Sequence, residues 1–314
     1  VAPNDSVECV ATVNDGFGGS ASDSSSVIIE NQTPSVDSVS ISPNTGVLSD
    51  SELTCLAVGS DLDGDSLSTS YEWFISGVSS GSNNTIQLSN TLVAPNDSVK
   101  CVATVDDGFG GSASDTVYVS VDNSAPIIDS SSLSPISPTR TESIVCSANA
   151  SDLDGGIPAL SFVFTNQGTG AIYTATSSTV DSATLDLSGT AIEYDEIVSC
   201  DIEATDLDGG SVSATETVTV INSAPVFAAE ASISPNSLVY TGTELTCSAT
   251  VTDADDGSLI PYYAWTSVGI QIGMGSSYTV LSEDTDVGAE IICMAMVADA
   301  EDVSITSQAS VIVE

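Results

Sequence analysis

An internal repeat constrains this chain more than any other feature. Residues 1–23, "VAPNDSVECVATVNDGFGGSASD", recur as residues 93–115, and 21 of the 23 positions are identical at a spacing of 92 residues. Pro34, Pro126 and Pro225 each follow a short polar linker and open a further copy. Because a repeated sequence folds as a repeated structural unit, we expect four domains. They are the C-terminal half of one repeat (1–33, strands E to G) and the first, second and third complete repeats (34–125, 126–224 and 225–314).

Each complete repeat has the sequence pattern of a β-sandwich. Apolar and polar residues alternate in "SVDSVSIS", "TVYVSV" and "ATETVTV", and turn-rich segments such as "SPNTG", "APND" and "DDGFGG" separate these runs. Alternation with a period of two indicates strands, and regular turns between short strands favour a sandwich of about seven strands. No segment has a helical period. The sequence therefore predicts an all-β chain of tandem immunoglobulin-like β-sandwich domains in an extended rod.

Two cysteines in each complete repeat support this prediction, because a large aromatic residue follows the first of them by 18 residues. The pairs are Cys55 and Cys101, Cys146 and Cys200, and Cys247 and Cys293, and the aromatic residues are Trp73, Phe164 and Trp265. A disulfide between strands B and F, packed on an aromatic from strand C, forms the immunoglobulin-like core. Zinc coordination is the alternative, but there is no CxxC pair and no histidine. Cys9 occupies the strand F position of the half repeat, so we expect its partner upstream. Disulfides indicate an oxidising, extracytoplasmic compartment.

Charge excludes several classes of function. The 314 residues include 44 acidic side chains but only Lys100 and Arg140 as basic ones, which gives a net charge of −42. Repulsion from phosphate argues against nucleic acid as a partner and against an anionic membrane surface. No apolar run is long enough to cross a bilayer. There is also no histidine to act as the base of a catalytic triad, and the carboxylate pairs recur in every repeat, as expected of structure. We expect a protein that is not an enzyme.

The acidic residues lie at fixed distances from the cysteines. An aspartate occurs six residues after every cysteine, and further acidic residues follow at alternate positions. Strands B and F of an immunoglobulin-like sandwich run in the same direction, so the loops after them emerge at one end, next to the linker from the preceding repeat. Calcium takes six to eight oxygen ligands from carboxylates, amides and carbonyls, and would offset the repulsion there. The expected ligands are Asp61, Asp63, Asp65, Asp107, Asn123, Asp152, Asp154, Asp206, Asp208, Asn222, Asp253, Asp255, Asp299 and Glu301. Asn31 holds the corresponding place in the first linker, and Asp50 and Asp97 are candidates to complete the shell.

Two other interpretations of these acids are open to test. Aspartate and glycine suit the backbone geometry of solvated turns, so the loops need no ion. An EF-hand is the second alternative, since Asp61, Asp63, Asp65 and Glu72 have its spacing. However, Ser66 stands where an EF-hand loop requires glycine, and no helices flank the segment.

Three segments resemble a known class of repeats. "SDLDGDSLSTSYEW", the strand F pattern "CVATVxDG" and the linker "DNSAP" (122–126) are similar to the tandem immunoglobulin-like, PKD-like and cadherin-like repeats of large prokaryotic surface proteins. That resemblance implies extracellular or cell-surface location and calcium as the cofactor, because cadherin-like repeats bind calcium between domains.

These patterns favour a non-enzymatic structural and adhesive protein, whose calcium-stiffened repeats form a cell-surface stalk or an extracellular fibre. The expected partners are neighbouring repeats of the same long chain, or other copies in a fibre. One alternative is a glycan- or protein-binding adhesin module, for which the second repeat, with its longer "NQGTGAIYTATSSTVDSATLDLSGT", is the candidate. Another is a set of passive spacer repeats of a larger secreted enzyme.

Overall fold

The computed structural model describes all residues from 1 to 314. The chain forms two compact units. Unit 1 comprises Val1–Ile127, Ala150–Ala159 and Ala204–Val212, and unit 2 comprises Ile128–Asn149, Leu160–Glu203 and Ser213–Glu314. The prediction of an all-β chain is confirmed, since the regular structure consists of strands and one short 3-10 helix, Leu187–Gly189. The structure contains no helix with the length and hydropathy needed to span a bilayer.

The half repeat folds as a β-hairpin without a core. β1 (Ser6–Asn14) and β2 (Ser20–Ile28) pair in an antiparallel register, and every residue of both strands is exposed. The inward-facing valines of the nearly identical segment in the first repeat are buried instead, because a second sheet covers them. Cys9 is a free, exposed thiol. Its pairing with an upstream cysteine stays a prediction.

The first repeat forms two sheets that face each other. Its strands are β3 (Ser35–Ser42), β4 (Glu52–Ser60), β5 (Ser68–Ile75), β6 (Val78–Gly81), β7 (Thr85–Gln87), β8 (Ser98–Asp106) and β9 (Ser112–Ser120). One sheet has the order β3-β4-β7 and the other the order β6-β5-β8-β9. Alternate residues of β8 are buried, as expected of a strand with one face on the core.

The second and third repeats have the same plan. The strands of the second are β10 (Ile127–Ser134), β11 (Ser143–Ser151), β12 (Ala159–Asn166), β13 (Ile172–Tyr173), β14 (Ser177–Ser178), β15 (Ser182–Asp186), β16 (Ile197–Thr205) and β17 (Ser211–Thr219). Those of the third are β18 (Val226–Ser234), β19 (Glu244–Asp253), β20 (Gly257–Leu259), β21 (Tyr262–Ser267), β22 (Ile270–Met274), β23 (Ser277–Thr279), β24 (Glu290–Ala298) and β25 (Ser304–Ile312). The second repeat has the sheet orders β10-β11-β15-β14 and β13-β12-β16-β17, while the third has β18-β19-β20, with β23 also on β19, and β22-β21-β24-β25.

A disulfide joins the two sheets of each repeat. The bonds are Cys55–Cys101, Cys146–Cys200 and Cys247–Cys293, the pairs expected from the sequence. Trp73 lies opposite Cys101 in the strand register, and Trp265 lies opposite Cys293. Each disulfide closes a loop of about 50 residues and restricts the unfolded chain, which stabilises a repeat with a small core.

The two tryptophans beside the disulfides have hydrogen-bond partners for their indole N–H groups. The indole Nε1–H of Trp73 donates to the Asn83 carbonyl at 2.9 Å, and that of Trp265 donates to the Gly275 carbonyl at 2.8 Å. Phe164 has no donor to satisfy and is also fully buried. The position therefore selects for a large apolar body and accepts tryptophan where a carbonyl is within reach.

We predict that Phe164→Ala destabilises the second repeat by about 3–5 kcal/mol, because the substitution leaves a cavity beside the Cys146–Cys200 bond. Chemical denaturation followed by circular dichroism should show an earlier transition for that part of the chain. Phe17→Ala is the matched control, since Phe17 is 98% exposed and its loss should change the free energy of unfolding by less than about 0.5 kcal/mol. Equal effects of the two substitutions would contradict the proposed core.

Candidate metal centres

Each linker asparagine lies among the acidic residues of the two loops that follow it in the fold. The two loops start where the two disulfide-bonded strands end. Because an aspartate lies six residues after the cysteine of each strand, the two aspartates reach the same height along the sandwich. We define the first junction as Asn31, Asp61, Asp63, Asp65 and Asp107, the second as Asn123, Asp152, Asp154 and Asp206, and the third as Asn222, Asp253, Asp255 and Asp299. The first two junctions belong to unit 1 and the third to unit 2.

The asparagine amide holds the aspartate that follows the second cysteine. The Nδ2 group donates to the Oδ2 atom of that aspartate at 2.8 Å in the first junction (Asn31 to Asp107) and at 3.0 Å in the second (Asn123 to Asp206). Asn222 donates to the same oxygen of Asp299 at 2.9 Å. These bonds lower the pKa of Asp107 and the pKa of Asp206, so both carboxyl groups are held in the ionised form.

The backbone N–H after each asparagine holds a second carboxylate. Gln32 donates to Asp63 at 2.6 Å. Ser124 donates to Asp154 at 2.5 Å, and Ser223 donates to Asp255 at 2.6 Å. These three aspartates in turn donate their own N–H to Oδ1 of the aspartate two residues earlier, at 2.7–2.8 Å. The linker is thereby fixed against both loops by the same contacts in all three junctions.

These contacts leave the same kind of oxygen without a partner in every junction. Apart from Ser267 Oγ, which belongs to β21, the buried side-chain oxygens that have no hydrogen bond are Asn31 Oδ1, Asp61 Oδ2, Asp65 Oδ2, Asn123 Oδ1, Ser124 Oγ, Asp152 Oδ2, Asp154 Oδ1, Asn222 Oδ1, Ser223 Oγ, Asp253 Oδ2 and Asp255 Oδ1. Asp253 is only 6% exposed and Ser223 only 7%. Buried polar atoms normally have a protein, water or ion partner, so this recurring set of unpaired oxygens is where a bound ion or water would be held.

Repulsion among the carboxylates adds to the free-energy cost of burying them at the junctions. Burial raises the pKa of Asp152, and the charges of Asp154, Asp206 and Asp208 raise it further. Burial likewise raises the pKa of Asp65, and the charges of Asp61, Asp63 and Asp107 raise it further. In the first junction, oxygens of Asp61, Asp63 and Asp65 lie within 4.8 Å of one another. Carboxylate and amide oxygens are the donors that a hard divalent cation such as Ca²⁺ prefers, so the residues present fit this ion.

Some of the expected ligands do not contribute to the set of buried, unpaired oxygens. Asp208 and Glu301 are exposed. The carboxylate of Glu301 interacts with the Tyr194 hydroxyl, and this interaction together with the charge of Glu301 raises the pKa of Tyr194 to about 12. Asp97, a candidate to complete the shell, accepts instead from Ser76 and Ala94 within its own repeat.

Sequence reasoning missed the serines at the junctions. Ser124 and Ser223 each contribute a backbone donor and a buried, unpaired hydroxyl oxygen. The repeated "NSAP" of the second and third linkers was the available signal, because the serine directly follows the asparagine.

In each of the first two junctions, a glycine of the second loop packs directly against the aspartate carboxylate and the asparagine amide. A Cβ atom at Gly111 would overlap the Asp107 carboxylate and lie 3.1 Å from Asn31 Nδ2. A Cβ atom at Gly210 would overlap the Asp206 carboxylate and lie 2.9 Å from Asn123 Nδ2 and 3.0 Å from the Ala125 Cα. Only glycine allows the loop to approach the linker this closely.

Comparisons with known proteins return structures of low similarity. No family model matches the chain, and no curated protein matches it. Sidekick-1 immunoglobulin domains 1–5 align with 96% of this chain and 65% of that chain, at 17% identity and a TM-score of 0.34. The N-terminal eight immunoglobulin domains of Down Syndrome Cell Adhesion Molecule align with 100% of this chain and 40% of that chain, at 15% identity and a TM-score of 0.35.

A structure described as a Ca²⁺-stabilized adhesin that helps an Antarctic bacterium to reach out and bind ice aligns with 98% of this chain and 82% of that chain, at 12% identity and a TM-score of 0.28. This chain thus spans less than two thirds of the first two structures. All three TM-scores are below 0.5, so the fold assignment rests on the strands, sheets and disulfides of this chain itself.

We predict that Gly210→Ala destabilises the second junction by about 1–3 kcal/mol, because the added methyl group displaces the Asp206 carboxylate or the linker. Calorimetric unfolding of the full chain measures the effect. Gly189→Ala is the control, because its Cβ would meet nothing within 4 Å and its backbone needs no left-handed conformation. A neutral Gly210→Ala would show that the loop does not pack on the linker as described.

Proposed function

We propose that this chain is a non-enzymatic, extracellular structural and adhesive protein, in which calcium at the three junctions stiffens tandem immunoglobulin-like repeats. Its domains correspond to the half repeat and the three complete repeats, and the repeats form part of a cell-surface stalk or an extracellular fibre. The observation that supports this function is the recurrence of buried, unpaired oxygens around each linker asparagine.

The proposed ligands are the expected acids and asparagines of the three junctions, together with Ser124 and Ser223. The bound ion contacts oxygens from the linker and from both loops, so it resists rotation of the linker against the repeat that follows. Asp208 and Glu301, being exposed, act at the rim through their charge. Calcium also offsets repulsion among carboxylates, and binding to the folded state alone raises the free energy of unfolding.

The disulfides and the charge fit the proposed location. Three disulfide bonds require an oxidising compartment, which an extracellular protein has. A net charge of −42 keeps the copies apart unless cations lie between them. Association into a fibre is therefore expected to depend on divalent ions as well.

We predict that Ca²⁺ raises the melting temperature of the oxidised chain and that Asp253→Asn removes or weakens one of the bound ions. The substitution keeps the shape of the side chain but removes charge from a buried group with an unpaired oxygen, and on the order of tenfold weaker binding at the third junction is expected. Titration calorimetry measures the stoichiometry and the affinity.

Asp115→Asn is the control for charge, since Asp115 is exposed in the middle of β9. It should leave both the stoichiometry and the affinity unchanged. Small-angle scattering adds a second readout, because a chelator should broaden the distribution of interatomic distances of the wild-type chain. Equal melting temperatures in calcium and in chelator would overturn the proposal.

A second candidate function, binding of a glycan or a protein segment, is favoured by a groove on the second repeat. The groove has a volume of about 440 Å³ and lies between β12 and the segment that contains β13 and β14. Leu160, Phe162 and Tyr173 supply apolar and aromatic surface, and serine and threonine hydroxyls lie beside them. Such a mixture suits the face and the hydroxyl groups of a sugar ring.

We predict, for this second function, that the full chain binds members of a glycan array and that Tyr173→Ala abolishes the signal by removing the aromatic surface. Tyr118→Ala is the matched control, because Tyr118 is 62% exposed on a strand of another repeat. An array without any signal for the wild-type chain would count against glycans as the ligand.

A further inference from the structure

Arg140, the only arginine of the chain, lies at the third junction. It belongs to the turn between β10 and β11, and its Nη1 group donates to Glu193 Oε2 at 2.7 Å. Its Nε group lies 3.9 Å from Asp255 Oδ1, which is longer than a hydrogen bond but close enough for an ion pair. The Asp255 side chain is completely buried, and this oxygen is one of the unpaired set. A fixed positive charge therefore adjoins an oxygen that we assign to the metal.

The corresponding turn of the first repeat contacts the second junction through an uncharged side chain. Leu48 and Thr139 start the two turns alike, since each donates its N–H to the side chain three residues later. Ser49 thus corresponds to Arg140, and its hydroxyl donates to the Leu153 carbonyl at 3.1 Å. Asn90 also donates to this carbonyl, at 3.2 Å. The second junction is approached by neutral donors only, whereas the third is approached by a guanidinium group.

A further contact distinguishes the third junction. The hydroxyl of Tyr194, which follows Glu193 in the chain, interacts with the carboxylate of Glu301, two residues after Asp299. Pro95 lies at the place in the first repeat that corresponds to Tyr194 and has no hydroxyl to donate. Arg140 and Tyr194 thus link the turns of the second repeat to both acidic loops of the third without any metal ion.

We propose that Arg140 is a built-in cation that weakens calcium binding at the third junction and holds this junction together when calcium is absent. This inference rests on the proposed function, because it concerns the same metal sites. The three junctions are then not equivalent. The first and second depend on calcium, whereas the third keeps part of its stability at low calcium concentration.

The physical reason is the sign of the charge beside Asp255. A guanidinium group is protonated at every pH of interest, so it repels an incoming divalent ion and competes for the same carboxylate. At a distance of a few ångströms, such a charge is expected to weaken calcium binding on the order of tenfold or more. Without calcium, the same charge offsets part of the cost of burying the Asp255 carboxylate.

The test compares Arg140→Gln with Lys100→Gln in the full oxidised chain. Each substitution removes one positive charge, but Lys100 lies over the Phe74 ring near the start of β8, about 20 Å along the strand from the acidic loop that follows this strand. Calcium titration of the wild type should show two tighter sites and one weaker site. Arg140→Gln should tighten the weaker site by about tenfold, and Lys100→Gln should leave all three unchanged.

Thermal unfolding provides a second readout with opposite signs in the two conditions. In chelator, Arg140→Gln should lower the transition that involves the third repeat by about 4 °C relative to Lys100→Gln, because the buried Asp255 loses its counter-charge. In saturating calcium, the difference should vanish or reverse. A structural role of Arg140 alone would lower the transition equally in both conditions.

The outcomes separate this inference from the proposed function. If the wild-type chain binds no calcium, both are wrong. If it binds calcium but Arg140→Gln leaves the weaker site unchanged, or lowers the transition equally with and without calcium, only the role of Arg140 is overturned.

Discussion

Repulsion among closely spaced, partly buried carboxylates is the interaction on which the junctions depend. At each linker, three or four acidic side chains face one asparagine, and the hydrogen bonds of the linker satisfy only some of their oxygens. The remaining oxygens are buried without a donor. Such an arrangement is costly in the absence of positive charge. In the proposed function, a divalent ion removes this cost at the first and second junctions, and Arg140 shares that task with it at the third.

The sandwich makes this concentration of charge tolerable because it holds the loops rigidly. Each disulfide ties together the two strands from which the acidic loops emerge, five or six residues before those strands end. A buried aromatic residue packs beside the disulfide and fixes the distance between the sheets. The same covalent bond that stabilises a small core thus also positions the two acidic loops. Stability and site geometry have a common origin.

Much of the architecture could be predicted from sequence, since each signal has a local cause. Alternation of apolar residues predicts strands, and the spacing of cysteine and aromatic residue predicts the disulfide core, which the structure contains. The half repeat shows the limit of such signals. β1 alternates just as β8 does, yet its valines are exposed because no second sheet covers them. Burial is a property of the partner surface and cannot be read from one strand.

The residues of the candidate metal sites likewise include some that the sequence predicts and some that only the structure identifies. Counting from the cysteines predicted which aspartates lie together beside the linker asparagines, because residues at equal distances along strands of the same direction reach the same level. Counting could not separate Asp154, whose oxygen is buried, from Asp208, which is exposed. Nor could it find Ser223 as a contributor, because its hydroxyl is buried only once the linker packs on the loops.

The strands could be predicted from the amino-acid sequence, as could the repeat period, the cysteine spacing and the sign of the charge, because these properties belong to residues near one another along the chain. Folding in three dimensions establishes which carboxylate oxygens are buried without partners and brings Arg140 to 3.9 Å from one of them. Arg140 and Asp255 are 115 residues apart in sequence. The packing of one repeat's turn against the next repeat's loop brings them together, and no local pattern records that contact.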